Sequence, residues 1–177
     1  MTLRLAIFDC DGTLVDSQHA IVAAMSQAFS QMALTAPTRE SVLAIVGLSL
    51  EEAIRRLVPE QHGLLVKELA DHYRAYNTRI RESGEGHDPL YDGIADLVTR
   101  LSADGWLLGV ATGKAMRGLK YVLATHDIAH HFVTLQTADF HPSKPHPSMI
   151  ETALAETGVE RADAVMIGDT SFDMAMA

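Results

Sequence analysis

Asp9 and Asp11 close the apolar run AIFDCDGT at residues 6–13, one residue apart, with Gly12 and Thr13 in attendance. Burying Ala6, Ile7 and Phe8 is favourable, whereas two carboxylates at the mouth of that burial need a balancing charge. Side chains at i and i+2 of a strand point the same way, so the two carboxylates can converge. Gly12 permits a sharp turn directly after them. Two adjacent carboxylates suit a divalent cation, and magnesium takes oxygen ligands. Alone, the pair reads equally as a solvated turn or a helix cap.

Three further stretches carry similar chemistry. Thr112-Gly113 ends the run WLLGVAT (106–112), where a hydroxyl and backbone N–H groups ahead of a helix can hold an anion. The plainer reading is a threonine N-cap for the helix that follows. Lys144 stands in HPSKPHP, framed by Pro142, Pro145 and Pro147, which stiffen it ahead of a helix start. A fixed ammonium is useful beside phosphate oxygens, although a lone loop lysine is usually just exposed. GDTSFD places Asp169 at another strand end and Asp173 one helical turn further on. These two could equally cap a helix and face the positive end of its dipole.

The elements that must position these residues are legible. RLAIFD (4–9), WLLGVAT (106–112), AVMIGD (164–169) and HFVTLQTAD (131–139) predict strands. Helical patterns at 93–105, 115–126 and 147–158 alternate with them, the first with Ile94, Leu97, Val98 and Leu101 on one face. The last opens on Pro147 and closes on Gly158. Strands alternating with helices predict an α/β fold with a mostly parallel, Rossmann-like sheet. In such a sheet the strand ends share one rim, where ligands bind. That rim would gather Asp, Thr and Asp from three strands, with a proline-framed lysine ahead of the third.

Residues 17–88 break the rhythm with helical patterns alone, over 18–34 and within 60–83, joined by connectors at 36–38 and 83–89. The organisation expected is a core of 1–16 and 89–177 with a helical insert at 17–88. The chain ends in the first turns of a helix after GDTSFD, where an open sheet would normally continue, so the C-terminal part of the core is expected to be missing and the strand at 164–169 to lie at an edge.

At these residues the sequence resembles the haloacid dehalogenase superfamily, in its phosphatase branch. DCDGT (9–13), VATGK (110–114), SKPHP (143–147) and GDTSFD (168–173) match its four motifs in order, across residues 4–177. The helical insert is similar to the small α-helical cap of phosphoglycolate-phosphatase-like members. The resemblance implies Asp9 as a nucleophile forming an aspartyl-phosphate and Asp11 as the proton donor and acceptor. It implies Thr112, the Gly113 N–H and Lys144 around the phosphoryl oxygens. Magnesium would be bound by Asp9, the Asp11 backbone carbonyl and Asp169, with Asp173 in support, and metal and lysine together would keep Asp9 ionised. Retaining Asp11 favours phosphate-ester hydrolysis over the superfamily's dehalogenases and phosphonate hydrolases, and Thr13 fits the phosphatases. The expected substrate is a small phosphorylated metabolite. A sugar-phosphate phosphomutase and a non-catalytic interaction domain are the alternatives.

Composition bounds these readings. The 177 residues suit one core with a modest inserted module. No apolar stretch reaches the length of a membrane span, and Asp9 and Asp11 interrupt the one candidate signal region, so a cytoplasmic protein is expected. The net charge of −9 argues against a nucleic-acid partner. A monomer or homodimer without membrane partners is expected. A single cysteine, Cys10, excludes an intrachain disulfide and is expected to point into the core.

GVATGKA is not a phosphate-binding P-loop: Leu108 stands where its first glycine is needed and Ala115 where Ser or Thr is. DCDG has its glycine too early for a calcium loop. His126, His130, His131, His141 and His146 match no zinc spacing and read as scattered loop residues. The Gly-Leu-Ser turn at 47–49 could face the site, and Arg55, Arg56, Lys67, Arg74, Arg79 or Arg81 could meet a second acidic group on the substrate.

Overall fold

Short apolar runs ending in a polar residue become the strands, and the residues between them form helices. The computed structural model describes residues 3–86 and 88–177. Met1, Thr2 and His87, the last within the predicted 83–89 connector, therefore lie outside the described residues. Strand β1 (Arg4–Phe8) leads into α1 (Gln18–Gln31), α2 (Arg39–Leu43), α3 (Leu50–Leu57) and α4 (Val66–Ser83). The chain then runs through α5 (Ile94–Ala103), β2 (Trp106–Thr112), α6 (Met116–Thr125), β3 (Phe132–Thr137), α7 (Ser148–Thr157), β4 (Ala164–Ile167) and α8 (Ser171–Met176).

The four strands form one sheet in the order β3-β2-β1-β4, parallel throughout, with β4 at an edge as expected. Alternation along β1 divides the core. Ala6 and Phe8 pack with Leu108, Val110, Leu119 and Val122 on one face. Leu5 and Ile7 pack with Ala111, Met149, Ile150 and Ala153 on the other. Each of these large side chains, fully buried, contributes about 1.5–3 kcal/mol. The predicted apolar face of α5 is the one used, since Ile94, Leu97, Val98 and Leu101 all join the first cluster.

Helices α1 to α4 all fall within 18–83 and have an apolar cluster of their own that includes Met25, Phe29, Ile54 and Leu69. The chain leaves and rejoins the sheet side by side: Asp16 N–H donates to the Pro89 carbonyl at 2.8 Å, and Tyr91 N–H to that of Leu14 at 3.1 Å. Helix α1 is shorter than its pattern predicts, whereas α4 lies within 60–83 as expected. The 18–34 pattern stops at Gln31 because Ala33 turns to φ 54°, and residues 60–65 wind as a 3-10 turn before α4. Helix α7 lies between Pro147 and a left-handed Gly158, as predicted.

Leu69 lies at 0% exposure in the insert's own cluster. Leu69→Ala is expected to lower the unfolding free energy by about 2–5 kcal/mol, through lost burial and the cavity left behind. A fall in the urea midpoint checks this.

Candidate active site

Residue Asp9 follows the last position of the central strand β1 and is completely buried. Its Oδ1 accepts the Cys10 N–H at 2.7 Å and lies 2.9 Å from Lys144 Nζ. Lys144, also buried, donates to Asp173 Oδ1 at 2.6 Å. The other oxygen of Asp173 accepts from the Thr170 hydroxyl at 2.7 Å and from Thr170 N–H at 3.1 Å, and Thr170 Oγ1 accepts in turn from Asp173 N–H. This reciprocal capping box begins α8, so the cap is Thr170 with Asp173 rather than Asp169. Removing a partner from such a buried pair costs about 3–5 kcal/mol, because a charge is left uncompensated.

The lysine does not by itself keep Asp9 ionised. Burial pushes its carboxyl from 3.8 up to about 7; Lys144 pulls it down, and Asp173 adds to the rise. Asp9 Oδ2 is buried with no hydrogen-bond partner. Carboxylate oxygens of Asp9, Asp169 and Asp173 lie within 4.8 Å of one another, the one such convergence of potential metal ligands among the described residues. Asp173 is already committed to Lys144 and Thr170, which leaves Asp9 and the exposed Asp169 as the available donors. An unpartnered buried oxygen and an all-carboxylate donor set fit a hard divalent cation. Thr13 Oγ1 donates to Asp169 at 3.3 Å. Gly12, at φ 86°, has no room for a side chain, since a Cβ there would run into the Asp169 carboxylate.

Asp11 accepts from Lys114 Nζ at 2.8 Å, and the same ammonium lies 4.0 Å from Asp88. Burial pushes the Lys114 ammonium down more than any single neighbour raises it, but Asp11, Cys10, Tyr73 and Asp88 together outweigh burial and the net shift is upward. The Thr112 hydroxyl accepts the Lys114 N–H at 3.2 Å. Thr112 is not the cap of α6, whose first amide, Met116 N–H, donates to Asp139 at 2.7 Å. At Gly113 a Cβ would run into the Gly47 and Leu48 carbonyls. The predicted Gly-Leu-Ser turn thus lies against the rim, and Ser49 N–H donates to Ser143 Oγ at 2.9 Å.

The four motif segments therefore meet at one rim. Sequence reasoning missed Lys114 as the partner of Asp11, and Ser143 as a contact of the turn. Lys114 stands inside the quoted VATGK, but nothing in its spacing pairs it with Asp11, which lies 103 residues away. The histidines have other partners: His126 meets the Asp88 carbonyl, and His141 bridges Ser148 and Gln136. Cys10 is buried in the core cluster. Arg55 and Arg56 pair with Glu52, Lys67 with Asp71, and Arg74 with Glu51 and Asp71. A cavity of about 340 Å³ lies between the insert and the sheet and reaches the site at Asp11 and Gly113. Among the described residues no helix is long and apolar enough to cross a membrane.

A parallel sheet with helices packed on it and this carboxylate-lysine rim define an α/β, Rossmann-like protein. The sequence matches the haloacid dehalogenase-like hydrolase family over residues 6–177, and the chain belongs to that family. It is 30% identical to the probable phosphatase IndB of Dickeya dadantii, over 98% of this chain and 76% of that protein. It is likewise 30% identical to the pyrophosphatase PpaX of Anoxybacillus flavithermus, over 98% of this chain and 78% of that protein. The fold superposes on a haloacid dehalogenase-like family hydrolase from Streptococcus pneumoniae with a TM-score of 0.81 at 26% identity, covering 98% of this chain and 80% of that one.

The raised Asp9 carboxyl sets a pH dependence. A folded-state value of about 7 above the ordinary 3.8 means that the folded protein holds this proton more tightly than the unfolded chain. The resulting stabilisation is complete below 3.8 and is lost as pH rises through about 7. Urea denaturation of the metal-free protein across that interval is expected to show stability falling with pH, and Asp9→Asn to remove this part of the slope.

Proposed function

We propose that the protein is a magnesium-dependent phosphatase that hydrolyses a phosphate monoester of a small metabolite through an aspartyl-phosphate on Asp9. The observation that carries this reading is the Asp9 carboxylate itself. It is buried at the end of the central strand, with one oxygen on Lys144 and the other without a hydrogen-bond partner. The phosphatase names of the relatives IndB and PpaX agree with it.

In the first step an Asp9 oxygen attacks phosphorus and the ester P–O bond breaks, while Asp11 gives a proton to the departing oxygen. In the second, Asp11 takes a proton from water as the water oxygen attacks phosphorus, and the bond from phosphorus to Asp9 breaks to release phosphate. Asp11 is paired with Lys114 at 2.8 Å. Acting as an acid requires Asp11 to leave that lysine and carry a proton. Lys144, Thr112 and the Gly113 N–H hold the phosphoryl oxygens, and this positioning is most of what phosphoryl transfer asks of a protein. Asp9, the Asp11 carbonyl and Asp169 would hold magnesium, which when bound neutralises charge on the transferring group. Asp173 supports the set by fixing Lys144. Residues 17–88 serve as the cap over a core of 1–16 and 89–177. The single cysteine, buried and unpaired, suits a cytoplasmic setting.

With a generic aryl phosphate, turnover is expected to need magnesium, to stop on chelation, and to fall by on the order of 10⁴ in Asp9→Asn. Absence of turnover with every phosphate ester tried, under magnesium, overturns the reading. Recovery of an isomeric sugar phosphate in place of free phosphate would identify a mutase instead.

A further inference from the structure

Four cationic side chains line the cavity between insert and sheet, and among the described residues two of them make no ion pair. Four carboxylates line it, and each is engaged. Asp11 holds Lys114, with Asp88 4.0 Å from the same ammonium. Glu51 pairs with Arg74, and Asp139 accepts the first amide of α6. Two guanidiniums remain, Arg81 from α4 and Arg117 from α6, and among the described residues neither makes an ion pair. The chain holds 23 acidic residues against 14 lysines and arginines, so a shortage of carboxylates does not explain this.

The two charges share one end of the cavity. The Arg81 guanidinium lies 5.7 Å from the centre of the Tyr121 ring, and Arg117 stands one turn before Tyr121 on α6. Partial burial holds the Arg81 guanidinium below its ordinary value, and the Arg117 charge adds to that effect. Two like charges facing a partly enclosed space repel, and an anion between them would relieve this. Ile21, Met25 and Leu50 also line the cavity and give it apolar surface. One cavity with a partly apolar lining therefore reaches both Asp11 and the two guanidiniums.

We propose that Arg81 and Arg117 bind a second anionic group on the substrate, so that the preferred ester is a phosphate monoester whose alcohol carries a carboxylate or a second phosphate on an aliphatic or aromatic body. The inference rests on the phosphatase reading and specifies its substrate class. One arginine comes from the insert and the other from the sheet side, so the same anion also ties the two together.

The test compares an alkyl phosphate with its ω-carboxylate and its ω-phosphate over a series of chain lengths. At the best length the wild type is expected to favour an ω-anionic ester in kcat/KM by about tenfold or more, the scale of one charge-assisted hydrogen bond. Arg81→Gln and Arg117→Gln should each reduce that ratio towards unity, and Arg81→Lys should recover part of it. Melting temperatures confirm that the variants fold. Which ω-anion is preferred distinguishes a carboxylate ligand from a phosphate. Equal kcat/KM for neutral and anionic esters at every length, or a ratio unchanged in both Gln variants, overturns the inference and leaves the phosphatase reading standing. Calorimetric titration with the matching phosphonates, which cannot be hydrolysed, reads the same preference without turnover. If no ester is hydrolysed the phosphatase reading fails, and the phosphonate ratio alone then decides whether the two arginines bind an anion.

Discussion

Everything at the rim depends on one buried ammonium between two buried carboxylates. Lys144 lies 2.9 Å from Asp9 and 2.6 Å from Asp173, all three screened from water. A charge cluster of this kind is stable only when its geometry is satisfied on every side. The contacts therefore tie three separate pieces of chain together: the end of β1, the proline-framed loop before α7, and the first turn of α8. The capping box between Thr170 and Asp173 completes the third piece. What the cluster leaves unsatisfied is one Asp9 oxygen, at the place where a cation and a phosphoryl group would need it.

The insert makes its own apolar core and still touches the rim through one short turn. Ile45, Leu48 and Ala53 gather with Phe172 of α8, and Arg56 lies 5.3 Å from the centre of that ring. The Gly47 and Leu48 carbonyls approach Gly113 so closely that only a residue without a side chain fits between them. A second contact layer, lined by residues of both parts, encloses the cavity next to Asp11. Division of labour follows from this arrangement. On the proposed function, the sheet rim would hold the groups that act on phosphorus, and the space under the helices would meet whatever is attached to it.

Much of the fold was legible because the core is built from short-range patterns. Alternation in RLAIF assigns Leu5 and Ile7 to one face and Ala6 and Phe8 to the other, and the spacing of Ile94, Leu97, Val98 and Leu101 gives α5 its buried side. Helix ends were less legible. The 18–34 pattern carries no proline or glycine to mark the stop at Gln31, where the left-handed Ala33 ends the helix. In the site, Thr112 taken alone read more readily as an α6 cap, and only the structure gives that duty to Asp139. Lys114 was adjacent to the right residues in sequence, yet its partner is decided by a contact that no local pattern encodes.

The sequence by itself determined the parallel α/β core, the helical stretch after β1 and the chemical types gathered at the rim. Strand periodicity and turn residues are local properties, and four ordered motifs carry them. Tertiary structure alone decided which groups are buried and which are paired. Burial raises Asp9 to about 7 against the pull of Lys144, and the approach of α6 pairs Lys114 with Asp11. It also left Arg81 and Arg117 facing one cavity with no ion pair among the described residues. Desolvation and ion pairing depend on distances between segments far apart in the chain, and those distances exist only once the sheet and the insert have packed.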